Sequence, residues 1–136
     1  MNVTKEMVLD FLANWYRMMD SHAPLEEVLQ SVAPGQFRMQ IIDGPMIEGE
    51  AGFTEWYLEK ISTSFDSLHL VHSIDVTVHG DTADAVILAD WSGRNWVVPG
   101  VKSEAAAFRD KLLTKLCWDE GKGCLVFTEY LVRSAD

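Results

Sequence analysis

Three ionisable side chains fall among apolar residues, and these are the candidates for chemistry. The first is His72. In a predicted strand every second residue points to the same face, so His72 shares its face with Leu68, Leu70 and Ile74. A neutral imidazole in dry surroundings can accept a proton near neutral pH, as a general base must. We therefore predict His72 as a base. The alternative is a buried histidine that makes only a structural hydrogen bond.

Two carboxylates are predicted to assist this histidine. Asp110 stands between Phe108 and Leu112 on the apolar face of the strand predicted over residues 104–118. Apolar surroundings would raise the pKa of Asp110, so it could act as an acid or orient the histidine. The alternatives are that Asp110 lies at the open end of its strand, or that a β-bulge turns it outward. The second carboxylate, Asp20, stands at the end of the first predicted helix.

A pocket is predicted around these groups. Tyr16 and Asp20 are four residues apart on one helix edge, so they could line its mouth or form a surface pair. Arg94 ends a predicted strand, where it could hold a substrate carboxylate or lie in solvent. Aromatic side chains build the core and line cavities that accept apolar ligands. The predicted pocket residues are Trp15, Tyr16, Trp56, Trp91, Arg94 and Phe108.

The elements that must position these residues begin with helices. Thr4 is a potential N-cap, and apolar residues at helical spacing predict a helix over about residues 5–20. Pro24 can open a second, short helix that ends before Pro34. Apolar and aromatic residues with helical spacing predict a third helix over residues 50–62.

The remainder of the chain shows the period of strands. Short and long strands are predicted over about residues 37–42, 68–79, 82–94, 104–118 and 124–132, with a loop over 95–103. Helices that precede a run of hairpin-linked strands indicate an α+β fold. We predict three helices packed on one face of a curved, mainly antiparallel sheet with the hairpin 68–94 at its centre.

Length, charge and missing motifs exclude several classes of protein. The 136 residues predict one domain, residues 1–136. A net charge of −10 disfavours nucleic acid and anionic membranes as partners. No signal peptide or membrane-spanning run is recognisable, so we expect a cytoplasmic protein. Neither a nucleophile elbow, a glycine-rich phosphate loop nor a metal-ligand cluster appears, and we expect no metal or cofactor.

The order of elements resembles the nuclear transport factor 2-like superfamily, which includes SnoaL-like cyclases, ketosteroid isomerase and scytalone dehydratase. The resemblance covers about residues 4–132 and depends on FLANWYRMMDSHAPLEEVLQSVAP, IIDGPMIEGEAGFTEWY and IDVTVHGDTADAVILADWSGR. It implies a cone-shaped fold whose helices and concave sheet face enclose a pocket. It also implies a homodimer through the convex face. This agrees with the alternation of the strand, which turns Val86 and Leu88 outward, where they would be exposed without a partner.

The resemblance to individual enzymes is uneven. The resemblance aligns the tyrosine of ketosteroid isomerase with Trp15, its base with the region of Gln40 and its second aspartate with the region of Thr114. Because none of these residues can take the corresponding role, steroid isomerisation is not expected. The pocket histidine and the helix-end aspartate of scytalone dehydratase fall on His72 and Asp20. The tyrosine before that aspartate is replaced by Met19, and the second pocket histidine falls near Gly93 or Arg94.

Two classes of function follow. In the first, the protein is a cofactor-free lyase, isomerase or cyclase that acts on a small hydrophobic metabolite through histidine and carboxylate chemistry. In the second, the same fold is a non-catalytic module that binds a small ligand or a protein partner, or serves as a structural subunit. A fold of this type hosts all of these functions, so the site must decide between them.

Overall fold

The computed structural model describes residues 1–97 and 101–135 of the chain. Helix α1 spans Lys5–Ser21, and the Thr4 hydroxyl caps it by accepting a hydrogen bond from the Met7 backbone N–H at 3.1 Å. The helix ends at His22, which has a left-handed backbone with φ of 52°. Its buried stripe includes Val8, Leu12 and Trp15, as the helical spacing predicts.

Two further helices complete the helical layer. Helix α2 spans Leu25–Val28 and continues into a short 3-10 helix, Leu29–Ser31. Lys122 satisfies this end, because its Nζ donates to the carbonyls of Leu29 and Val32 at 2.7 and 2.9 Å. Helix α3 spans Gly49–Thr63, and its Tyr57 hydroxyl donates to the Ala23 carbonyl at 2.5 Å.

Six strands form one sheet in the order β2-β1-β6-β5-β4-β3. The pairing of β1 with β6 is parallel, and the other neighbours are antiparallel. The predicted α+β fold with three helices on a mainly antiparallel sheet is therefore confirmed. The expectation that the hairpin 68–94 lies at the centre of this sheet is wrong. Its first strand is an edge strand, because β1 and β2 join the sheet beside β6, on the opposite side. The strands are β1 (Arg38–Ile41), β2 (Ile47–Glu48), β3 (Ser64–His79), β4 (Thr82–Val97), β5 (Lys102–Asp119) and β6 (Cys124–Ser134).

The prediction of a loop over residues 95–103 is wrong at both of its ends. Asn95 pairs with Glu104 and Val97 pairs with Lys102, so β4 and β5 continue into it, and residues 98–100 lie outside the described residues. The ladder hydrogen bonds extend these strands despite a sequence that has no clear alternation of apolar and polar residues. Among the described residues, no helix has the length and apolar character needed to cross a membrane.

A β-bulge in β3 determines which side chains face the core. Val71 pairs with Ala89 and Ser73 pairs with Leu88, so His72 is an extra residue opposite a regular strand. On β4, Ala83, Ala85, Ile87 and Ala89 are buried and define the inner face. On the C-terminal side of the bulge, the inner face of β3 carries Val78, Val76 and Ile74, and on the N-terminal side it carries Val71 and His69.

The core lies between the helices and this inner face. Trp15 of α1 packs on Phe127 and Tyr130 of β6 with ring centroids 4.9 and 5.7 Å apart. Its indole Nε1 donates a hydrogen bond to the Tyr130 hydroxyl at 3.4 Å. Phe53 of α3 lies 6.1 Å from the Trp15 ring. This aromatic cluster fixes α1 and α3 over the sheet and leaves a cavity beside it.

Candidate functional site

A cavity of about 300 Å³ lies between the helices and the inner face of β4, β5 and β6. This volume is at the lower end of the range for small-molecule sites. Most of its wall is apolar and aromatic, which suits a ligand with a ring system. The apolar wall is formed by Met19, Ile41, Ile42, Trp56, Trp91, Phe108, Leu112 and Val132.

Four ionisable side chains, Lys60, His69, Asp110 and Tyr130, also line the cavity. They come from α3, β3, β5 and β6, so the fold brings together groups far apart in sequence. Two or more ionisable groups that converge in an apolar pocket are typical of a catalytic site.

His69 and Asp20 form the closest polar contact at this site. The Asp20 carboxylate accepts one hydrogen bond from the His69 backbone N–H at 3.0 Å and one from His69 Nδ1 at 2.5 Å. Ser67 extends the network, because its hydroxyl lies 3.5 Å from Asp20 Oδ1 and accepts a bond from Trp91 Nε1 at 2.8 Å. The imidazole is therefore held at the cavity wall by a carboxylate at the end of α1.

The surroundings of His69 favour its neutral form. Burial lowers the pKa of His69 from its ordinary value of 6.5, and the hydrogen bond and charge of Asp20 oppose this shift only in part. Because a carboxylate only accepts, Nδ1 carries the proton. Nε2 has no hydrogen-bond partner among the described residues and keeps its lone pair. This is the protonation state that a general base requires.

The tyrosines beside the pair remain protonated. Burial raises the pKa of Tyr16 and Tyr130, and the charges of Asp20 and Asp110 add to both shifts. The Tyr16 ring lies 4.8 Å from the His69 ring. These phenols can therefore donate hydrogen bonds or support rings, but they do not supply a base.

The prediction that His72 lines the pocket is wrong. The bulge places His72 on the outer face, where Nε2 lies 2.8 Å from Asp90 Oδ2. Arg109 binds the same carboxylate, with Nε 2.8 Å from Asp90 Oδ1. His69, which strict alternation assigns to solvent, faces the cavity instead. The sequence contained one sign of this change of face: Val71 is apolar although it alternates into the otherwise polar face of the predicted strand.

The other predicted site residues lie in the cavity wall, in the layer behind it or, in the case of Arg94, outside the cavity. Asp110, Trp56, Trp91 and Phe108 lie in the cavity wall, with the Trp91 and Phe108 rings stacked 5.8 Å apart. Asp20, Tyr16 and Trp15 stand one layer behind it, in contact with His69 or Tyr130.

Arg94 lies outside the cavity. Its Nε donates to the Ser103 hydroxyl at 2.8 Å and its guanidinium reaches the Ser103 carbonyl at 3.1 Å. Trp91 and Asn95 face the cavity, and regular alternation along β4 therefore turns Arg94 to the opposite face. The prediction that Arg94 lines the pocket is wrong. Lys60 supplies the cationic group instead. Its position in the sequence does not reveal this, because lysine is a common residue on the exposed side of a helix.

Comparisons with known proteins identify the fold and no more. No family model and no curated protein matches the chain. A proposed dehydratase of the nuclear transport factor 2-like family from Streptomyces avermitilis has 12% identity and a TM-score of 0.81, over 96% of this chain and 95% of that one. A proposed scytalone dehydratase from Novosphingobium aromaticivorans has 9% identity and a TM-score of 0.81, over 96% and 83%.

A third structure extends the set. The ketosteroid isomerase-like protein from Erwinia carotovora atroseptica has 17% identity and a TM-score of 0.71, over 98% of this chain and 99% of that one. The chain has the nuclear transport factor 2-like fold. At these identities the likeness concerns backbone architecture, so the site residues carry the argument about function.

The polar groups at the cavity suit proton transfer more than metal binding. Among residues 1–97 and 101–135, no three His, Cys, Asp or Glu side chains form a group that could hold a metal ion. The arrangement consists of one neutral imidazole, the Asp20 carboxylate that orients it, and a cavity that also holds the ammonium group of Lys60, the carboxyl group of Asp110 and the hydroxyl group of Tyr130. It can take a proton from a ligand and return it elsewhere on the same ligand.

Proposed function

We propose that the protein is a cofactor-free lyase or isomerase that acts on a small hydrophobic carbonyl compound, with His69 as the general base. The observation that carries this proposal is the His69–Asp20 pair at the wall of an apolar cavity. Burial and a fixed tautomer give His69 the properties that were predicted for His72. Asp20 is a positioning residue, because it holds the imidazole and stabilises the imidazolium that forms.

The proposed reaction begins at the carbon next to the carbonyl group. His69 Nε2 takes a proton from this carbon, and the electron pair of the C–H bond moves onto the carbonyl oxygen to give an enolate. When a hydroxyl group is present on the next carbon, the enolate collapses, the C–O bond breaks and the imidazolium returns its proton to the leaving oxygen as water. Without a leaving group, the proton returns at another carbon and the product is an isomer.

Proteins of the same fold support this choice of reaction class. The comparison structures include proteins described as a dehydratase, a scytalone dehydratase and a ketosteroid isomerase-like protein. Dehydration and isomerisation next to a carbonyl group share the initial proton abstraction. The aromatic wall formed by Trp56, Trp91 and Phe108 favours a substrate with one or two rings.

Proton abstraction can be tested without knowledge of the natural substrate. A tetralone is incubated with the protein in deuterated buffer, and the loss of the signal of its C–H next to the carbonyl is followed by NMR. We expect exchange above the buffer rate for the native protein and for His72→Gln, and a loss on the order of a hundredfold or more for His69→Gln. Equal exchange in His69→Gln and the native protein would overturn the assignment.

A hydroxytetralone extends the test to elimination, because loss of water gives a naphthol that is followed by its fluorescence. If the protein binds both ketones but accelerates neither exchange nor elimination, the proposal fails. The non-catalytic binding module is then the better description. Circular dichroism and thermal unfolding of each variant show whether a loss of rate reflects chemistry or misfolding.

We also propose a cytoplasmic homodimer that forms through the outer sheet face. Val86 and Leu88 are half-buried on that face, whereas Leu68 and Leu70 are each 59% exposed beside them. A patch of this kind favours association. Light scattering should give twice the mass of 15.3 kDa, and Leu70→Lys should reduce it to the mass of one chain.

A further inference from the structure

Lys60 is the one cationic side chain in the cavity wall among the residues that the structure describes. It stands in the last turn of α3, and its Nζ lies 5.9 Å from the ring centroid of Trp56 and 5.6 Å from that of Trp91. The described residues offer this ammonium group neither a hydrogen bond nor an ion pair. Two indole rings thus support a cation whose donor hydrogens are available to a ligand.

Titratable groups from all the neighbouring elements surround Lys60. Asp20 of α1, His69 of β3, Asp110 of β5 and Tyr130 of β6 surround the same cavity, and His22 follows α1. Burial lowers the pKa of Lys60, whereas the charge of Asp20 raises it. A partly desolvated ammonium of this kind binds an anionic oxygen more strongly than a lysine in water does.

We propose that Lys60 makes the cavity a site for ring compounds that carry one oxygen able to become an anion, such as a phenol or an enolisable ketone. The ring lies against the aromatic wall, and the oxygen lies at the ammonium of Lys60. This inference deepens the proposed function, since the enolate produced by His69 would place its charge on that oxygen. It can be tested separately, because binding of a phenolate requires no proton abstraction by His69.

The neighbouring carboxylates select this ligand class over a carboxylic acid. Asp20 and Asp110 contribute negative charge at or next to the cavity wall. A carboxylate ligand would enter fully charged and meet both of them. A phenol or a ketone enters neutral, and its oxygen gains charge only where the Lys60 ammonium can receive it.

The test uses para-nitrophenol, whose absorbance reports its ionisation directly. We expect the native protein to lower the pKa of the bound phenol below that of the free phenol. In Lys60→Met and Lys60→Gln, affinity for the phenolate should fall on the order of tenfold or more, and the pKa of the bound phenol should rise. Lys60→Arg keeps the charge and should retain part of the affinity.

Two controls separate this effect from a loss of structure, and a third comparison tests the choice of ligand class. Lys111→Met removes an exposed lysine from β5 and should leave phenolate binding unchanged. The neutral ligand para-nitroanisole should bind Lys60→Met as well as it binds the native protein. Benzoate, which enters charged, should bind the native protein more weakly than para-nitrophenol, which can enter neutral.

Two results would overturn the inference: unchanged phenolate binding in Lys60→Met, or stronger binding of benzoate than of para-nitrophenol. The proposed function can fail independently. If tetralone exchange does not depend on His69 while phenolate binding depends on Lys60, the oxygen site stands and the proton-transfer assignment does not. If exchange depends on His69 and phenolate binding ignores Lys60, the reverse holds.

Discussion

Two histidine–carboxylate pairs lie three residues apart on one strand, one on each face of the sheet. His69 contacts Asp20 on the inner face at 2.5 Å, and His72 contacts Asp90 on the outer face at 2.8 Å. The inner side chains are 12% and 23% exposed, whereas the outer ones are 34% and 36% exposed. Similar functional groups at similar distances therefore meet very different surroundings.

The difference in environment separates the chemistry of the two pairs. On the outer face, Arg109 and then His72 hydrogen-bond to Asp90 and lower the pKa of its carboxyl group, so Asp90 is committed to an exposed ion cluster. On the inner face, the cation nearest in the cavity is Lys60, and it makes no ion pair with Asp20. Asp20 is thus available to orient His69, and burial rather than ion pairing dominates the protonation state of the histidine.

The largest expected difference between the pairs is in their carboxylates. We expect Asp20→Asn to reduce tetralone exchange on the order of a hundredfold, because an amide can donate to His69 Nδ1 and favour the wrong tautomer. Asp90→Asn, the matched change on the outer face, should leave exchange within about twofold of the native rate. Exchange is measured by NMR for both variants. Equal losses would contradict the prediction that Asp20, and not Asp90, supports proton transfer.

The pH dependence provides a second contrast. Because burial lowers the pKa of His69, exchange should rise with pH along a single titration whose midpoint lies below 6.5. The unfolded chain binds the histidine proton more tightly than the folded one, so this group makes stability fall as pH decreases from 6.5 through the lowered value. His69→Gln should flatten both curves. A midpoint above 6.5 in the NMR titration of the His69 ring would contradict this sign.

The sequence determines most of the fold and about half of the site, and the bulge explains where it stops. Periodicity finds the helices and long strands because each buries one continuous face. Asp110 and Trp91 are correctly placed because β4 and β5 alternate without a shift between them. His69 and His72 exchange faces because the extra residue in β3 is decided by pairing with β4, and an isolated strand pattern does not contain that information.

Deletion of His72 tests the bulge itself. Without this residue Val71 precedes Ser73, and their partners Ala89 and Leu88 are already adjacent, so every remaining side chain keeps its face. We expect the deletion to fold, to lose the contact of His72 with Asp90 while the Arg109–Asp90 ion pair remains, and to retain exchange through His69. Urea unfolding gives its stability, and NMR gives the environment of the His69 ring.

The matched control is deletion of Ile74. It removes the same length of chain but moves Ser73 to the inner position opposite Ile87. The exchange of a half-buried isoleucine for a serine should cost about 1–2 kcal/mol more than deletion of His72. Equal stability of the two deletions would mean that the extra residue in β3 is not His72.

The smallest expected effect concerns the aromatic ring that covers His69 and has no counterpart at His72. Tyr16 packs 4.8 Å from the His69 ring, and its buried hydroxyl has no hydrogen-bond partner among the described residues. Tyr16→Phe keeps the ring and removes this hydroxyl, so the free energy of unfolding should stay the same or rise by up to about 1 kcal/mol. Exchange should remain near the native rate, since the ring continues to shield His69 from water. Thermal and urea unfolding measure the first effect, and a clear loss of stability would reveal that the hydroxyl is satisfied by an ordered water molecule.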